Sequence, residues 1–133
     1  MLVDAGPLVA LLDRADAHHE RCVSVLGSIR GPLVTVWPAF TEAMYLLGPS
    51  WTAQKALWSR LDADALRLAP LDASDAPRMR ALMEKYRDVP MDLADAALVR
   101  VAERDGQTRI FTLDRRHFGV YRPGARKRFA ILP

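Results

Sequence analysis

Four carboxylates lie far apart along this chain, each just past a short apolar run or one helical step into the next segment. They are Asp4 after Met1-Leu2-Val3, Glu42 after Val34-Thr35-Val36, Asp95 within Met91-Asp92-Leu93-Ala94-Asp95-Ala96, and Asp114 after Ile110-Phe111-Thr112-Leu113. A parallel sheet would bring such positions to its carboxyl edge, where open α/β folds bind ligands. Four acids gathered there repel one another unless a cation neutralises them. Hard oxygen donors suit Mg²⁺ or Mn²⁺, and a divalent ion in an acidic crevice points to metal-assisted chemistry on a phosphate.

Each acid also has a plain structural use. Asp4 can cap a helix begun at Pro7, Asp114 can hold the turn before Arg115, and Glu42 is favoured by the dipole in the first turns of its helix. Asp92 and Asp95 make an acidic version of a capping box. Caps need not come as a set with a member at almost every strand end of one sheet, so the set argues for a site. Asp92 and Asp95 are three apart and share a helical face. Asp92 is the better N-cap, which leaves Asp95 as the expected ligand and Asp92 as a cap and possible outer-shell contact. Thr112 lies two residues before Asp114, on the same side of a strand. Its hydroxyl can hold Asp114 or a phosphate, or it is an ordinary strand threonine.

Other candidates are weaker. His18 and His19 stand beside Glu20 and Arg21 and are expected at the surface, and His117 stands alone. Trp37, Trp51 and Trp58 are expected in the core or an interface rather than as base-stacking platforms. There is no Gly-rich phosphate loop and no Gly-x-Ser-x-Gly elbow.

The elements that must position the acids alternate. Strands are expected at Leu2-Val3, Leu33–Val36, Leu66–Ala69, Arg109–Leu113 and Phe129–Leu132. Helices are expected after Pro7, after a cap at Asp16, after Pro38, over Trp51–Leu61, from Ser74 and from Asp92. Strands alternating with helices predict a mostly parallel sheet.

The chain has 133 residues, 50% hydrophobic and 26% charged, enough for one domain spanning 1–133 and not for two. Cys22 is the sole cysteine, which excludes an internal disulfide and fits a reducing compartment. The N-terminus does not read as a signal peptide, and no apolar run is long enough to span a bilayer. A cytoplasmic protein with no membrane association is expected. Residues 1–108 carry 12 Lys/Arg against 15 Asp/Glu, a net of −3. Residues 109–133 carry Arg109, Arg115, Arg116, Arg122, Arg126, Lys127 and Arg128 against Asp114 alone, a net of +6. A basic segment flanking an acidic cluster suits a polyanion held at a metal site.

The stretches Val3-Asp4-Ala5-Gly6-Pro7-Leu8-Val9-Ala10-Leu11-Leu12, Thr41-Glu42-Ala43, Met91-Asp92-Leu93-Ala94-Asp95-Ala96-Ala97-Leu98 and Phe111-Thr112-Leu113-Asp114-Arg115-Arg116-His117-Phe118 carry a resemblance. In this order they resemble the PIN-domain ribonucleases, most closely the VapC-type toxins of type II toxin–antitoxin pairs. The resemblance covers nearly the whole chain. It implies a three-layer α/β/α fold on a five-stranded sheet, and Asp4, Glu42, Asp95 and Asp114 as the catalytic, metal-holding acids. Ala5 departs from the Ser or Thr that many relatives carry there, which removes a hydroxyl but leaves the carboxylate set complete.

The resemblance further implies a Mg²⁺- or Mn²⁺-dependent endoribonuclease, leaving 5′-phosphate and 3′-hydroxyl ends, with RNA as substrate and a cognate antitoxin protein as partner. Asp4, Asp95 and Asp114 would hold metal, Glu42 would bind a second ion or orient the attacking water, and Arg115 and Arg116 would neutralise RNA phosphates. Trp37, Phe40, Met44, Leu47, Trp51 and Trp58 supply more apolar bulk than the helical pair 38–61 needs, which suits a homodimer or a partner helix. The rival readings are a phosphatase with Asp4 as nucleophile, disfavoured by Gly6 two residues on, and a catalytically silent RNA-binding or regulatory module.

Overall fold

The computed structural model describes residues 1–125 and 127–133; Arg126, named above within the basic segment, lies outside the described residues. The elements run β1 (Leu2–Val3), α1 (Ala5–Leu12), α2 (His19–Ser28), β2 (Leu33–Thr35), α3 (Trp37–Leu46), α4 (Trp51–Asp62), β3 (Leu66–Leu68), α5 (Ala76–Lys85), α6 (Leu93–Asp105), β4 (Arg109–Phe111), α7 (Arg115–Val120) and β5 (Ala130–Leu132). The sheet order is β3-β2-β1-β4-β5, and every neighbouring pair is parallel.

Side chains alternate across the sheet and so build two cores. Leu2 and Ile110 face one side, with Leu82, Tyr86, Val99, Phe118 and Tyr121 of α5, α6 and the α7 region. Val3 and Phe111 face the other, with Leu8, Cys22, Phe40 and Leu57 of α1 to α4. The result is the three-layer α/β/α arrangement. Because both faces are covered, Leu2-Val3 of β1 and Ile110-Phe111 of β4 are apolar on both sides of the sheet rather than alternating.

The connections from β1 run outward through β2 to β3 on one side, whereas β4 and β5 lie on the other. The order in which strands are added therefore reverses between β1 and β4. That switch point is where an α/β sheet opens a crevice at its carboxyl edge. Asp4 directly follows β1, and Thr112 and Asp114 follow β4.

Two local expectations change. Asp16 does not cap α2; its carboxylate accepts the His18 N–H at 2.7 Å and braces the turn before the helix. His19 is not simply on the surface, since its Nδ1 meets the Ala10 carbonyl at 2.8 Å and ties α2 to the end of α1. The segment after Asp114, for which no element was expected, forms the short helix α7.

Candidate active site

Three helix N-termini point into one crevice, and each is capped by an aspartate. Asp4 caps α1 by accepting the Ala5 N–H at 2.7 Å. Asp92 caps α6 by accepting the Asp95 N–H at 2.8 Å. Asp114 caps α7 by accepting the His117 N–H at 2.9 Å. The positive ends of three helix dipoles thus face the acids. Capping and site chemistry are therefore not alternatives here, because the same carboxylates can do both.

A cleft of about 510 Å³ is lined by Asp4, Glu42, Asp92, Asp95 and Asp114, with Gly6, Pro90, Leu113 and His117 completing its wall. The topology thus gathers the four acids singled out in sequence, with Asp92 among them. Arg115 and Arg116 are exposed beside the cleft rather than in its lining. The Arg115 guanidinium donates to the main-chain oxygen of Pro133.

Thr112 is placed differently from a phosphate contact. It is fully buried; its hydroxyl donates to Asp4 Oδ2 at 2.8 Å and accepts the Asp114 N–H at 3.0 Å. Its proton is engaged and the residue is fully buried, so Thr112 orients two acids and is not available to substrate.

Two further side chains hold acids, and neither was picked out from sequence. The His117 Nδ1–H donates to Asp114 Oδ2 at 2.5 Å. The buried Tyr121 donates its hydroxyl to Asp95 Oδ2 at 2.9 Å. The 114/117 spacing, three apart at a helix start, was a signal for the first. Nothing local signals the second, whose partner lies 26 residues away.

The electrostatics are those of crowded acids. Burial raises the Asp4 pKa; the Thr112 hydroxyl and Ala5 N–H oppose this, while Asp92 and Asp114 add to it. Asp95 is pushed up to about 7, chiefly by burial and then by Asp92, against the Tyr121 hydrogen bond. Glu42 is raised by partial burial and by Asp4 and Asp92. Asp75, buried elsewhere in the fold, shows the contrast: it meets Arg100 at 2.7 Å and Arg104 at 3.5 Å, and its pKa is lowered. Among the described residues, no lysine or arginine pairs with any acid of the cleft.

The donor set therefore fits a hard divalent cation: carboxylate oxygens, mutual repulsion and, among the described residues, no lysine or arginine to offset it. The side chains are not already drawn in around one point, and among the described residues no three acidic, histidine or cysteine groups form a ready ligand cluster.

A profile of the PIN domain matches residues 1–123. The chain belongs to the PIN-domain family. It is 32% identical, over the full length of both chains, to Ribonuclease VapC26 of Mycobacterium tuberculosis. The fold of this PIN domain is also that of the Mycobacterium tuberculosis VapC20 crystal structure, described as a Sarcin-Ricin loop cleaving toxin. The TM-score is 0.79 at 17% identity, covering 87% of this chain and 91% of that one.

Proposed function

We propose that this PIN domain is a metal-dependent endoribonuclease, the toxin of a type II toxin–antitoxin pair. The observation that carries the reading is the gathering of Asp4, Glu42, Asp95 and Asp114 in one cleft, where among the described residues no lysine or arginine pairs with them, in a chain similar over its full length to a VapC ribonuclease.

Asp4, Asp95 and Asp114 would hold Mg²⁺ or Mn²⁺, with Asp92 behind them as cap and outer contact. A bound divalent ion supplies positive charge to the scissile phosphate and acidifies an attacking water. Glu42 is the most exposed of the four acids, and among the described residues no hydrogen-bond donor holds it, so it is free to bind a second ion or orient that water. Asp95 must be ionised to act as a ligand, and its raised pKa places that event near neutral pH. Arg116, and Arg115 less so, would neutralise the backbone phosphates of a bound RNA, both being exposed directly after Asp114.

The surface supports a protein partner. Phe40 and Leu47 are core, but Trp37, Tyr45, Leu46, Trp51 and Trp58 are exposed, Tyr45 by 82%. Exposed large apolar groups on α3 and α4 suit an antitoxin or a second copy of the chain. Among the described residues, no helix is long and apolar enough to cross a membrane, and the proposed site of action is the cytoplasm. Incubating the purified protein with RNA in Mg²⁺ or Mn²⁺ tests the activity. Internal cleavage lost in Asp4→Asn is expected, and wild-type-level cleavage in that variant contradicts the assignment.

A further inference from the structure

We propose that His117 and Tyr121 form a two-ring bracket, positioning residues that fix Asp114 and Asp95 on either side of the cleft. The inference rests on the metal reading above and concerns how this chain prepares its ligands.

The geometry is specific. Asp114 stands at the start of α7, His117 one turn on, and Tyr121 just past the helix end. His117 holds both oxygens of Asp114, Oδ1 through its backbone N–H at 2.9 Å and Oδ2 through Nδ1–H at 2.5 Å. Tyr121 reaches across to α6 and holds Asp95 Oδ2 at 2.9 Å. The two rings are nearly parallel, 17° apart with centroids 6.3 Å apart. Tyr121 is further fixed edge-on by Tyr86 at 5.0 Å and Phe118 at 5.3 Å. Tyr121 is fixed by packing and His117 by its two bonds to Asp114, so the separation of the two carboxylates is not left to their repulsion alone.

The same logic shows why both donors are needed. Asp4 already has two donors, from Ala5 and Thr112. Without His117 and Tyr121, Asp114 would keep only its backbone cap, and Asp95 would have no side-chain donor among the described residues. Groups that orient ligands in this way typically change metal affinity roughly 10–100-fold when removed.

The test is Mn²⁺ binding to the full chain without RNA, followed by electron paramagnetic resonance of the free ion. The proteins are wild type, Tyr121→Phe, His117→Ala, His117→Asn and Asp4→Asn, with melts in chelator to verify folding. Tyr121→Phe keeps the packed ring and loses one oxygen; His117 is partly exposed, so its variants keep the question open if Tyr121→Phe fails to fold. Tyr121→Phe and His117→Ala are expected to bind Mn²⁺ roughly 10–100-fold more weakly. His117→Asn, whose amide can replace the Nδ1 donor, should recover most of the loss. Unchanged affinity in both Tyr121→Phe and His117→Ala would overturn the bracket. No rescue by His117→Asn would also overturn it, since His117 would then act through its other nitrogen. A wild type that binds no Mn²⁺, or binds no better than Asp4→Asn, would sink the metal reading and the bracket with it.

Discussion

The hydroxyl of Thr112 donates to Asp4 Oδ2 at 2.8 Å, joining residues 108 positions apart at the ends of β4 and β1. The same oxygen accepts the Asp114 N–H at 3.0 Å, so one buried atom ties together two acids from the neighbouring strands that flank the switch point. Thr112→Val preserves shape but strips the acceptor from the partly buried Asp114 N–H and a donor from Asp4. It should cost about 1–3 kcal/mol, the penalty for an unsatisfied buried group, and lower cleavage as well. Thr112→Ser should keep both bonds and most activity. Urea unfolding beside a cleavage assay checks this; equal stability of Thr112→Val and wild type would show that the bonds contribute nothing.

Asp92 and Asp95 separate by role. Asp92→Ala removes the α6 cap and should cost about 1 kcal/mol while leaving cleavage largely intact. Because Asp92 is the second cause of the raised Asp95 pKa, the same variant should shift the rise of cleavage with pH toward lower pH. Asp95→Asn should abolish cleavage. Loss of cleavage in Asp92→Ala with retention in Asp95→Asn would exchange the two assignments.

The Asp95 shift has a sign that melts can read. Its folded pKa of about 7 lies above the ordinary carboxyl value of 3.8, so between those values the folded state holds more protons than the unfolded. Stability without metal should therefore fall as pH rises through that window, and the raised Asp4 pKa acts in the same direction. Metal-free Asp95→Asn should lose less stability between about pH 5 and pH 8 and melt above wild type at the upper end. With Mn²⁺ present the trend should reverse, because the ion requires the ionised ligand. Identical pH dependence of the metal-free wild type and Asp95→Asn would contradict the assigned shift.

The two arginines beside Asp114 should contribute unequally to RNA binding. Arg115 is engaged with the Pro133 main-chain oxygen, whereas Arg116 is exposed and among the described residues has no partner. Arg116→Gln should flatten the slope of log affinity against log salt by about one unit, the effect of one lost phosphate contact; Arg115→Gln should flatten it less. Binding is measured in Asp4→Asn so that cleavage does not intervene. An unchanged slope in the double variant would place the RNA on another side of the acids.

Alternation of apolar runs with helical segments was enough to expect the parallel sheet, and the position of each acid after a run was enough to expect convergence. Asp92 as cap was legible from its spacing to Asp95. The helix α7 was not legible: it has six residues, includes Gly119, and buries only Phe118, so no apolar stripe marks it. With α7 unseen, His117 looked solitary and Tyr121 had no place. The Tyr121–Asp95 bond depends on the residue just past α7 meeting the first turn of α6, 26 positions away, a relation that no window of sequence contains. Thr112 shows the opposite case, since its side of the strand was legible but its complete burial was not.

The central claim is that the gathered acids cleave RNA with the help of a divalent ion. It is tested most directly by end analysis of RNA incubated with wild type, Asp4→Asn and Asp95→Asn, each in Mg²⁺ or Mn²⁺ and in chelator. The account predicts internal cuts with 5′-phosphate and 3′-hydroxyl ends, made by the wild type alone and abolished by chelation. Cuts that persist in chelator, persist in Asp4→Asn, or leave cyclic phosphate ends would contradict it.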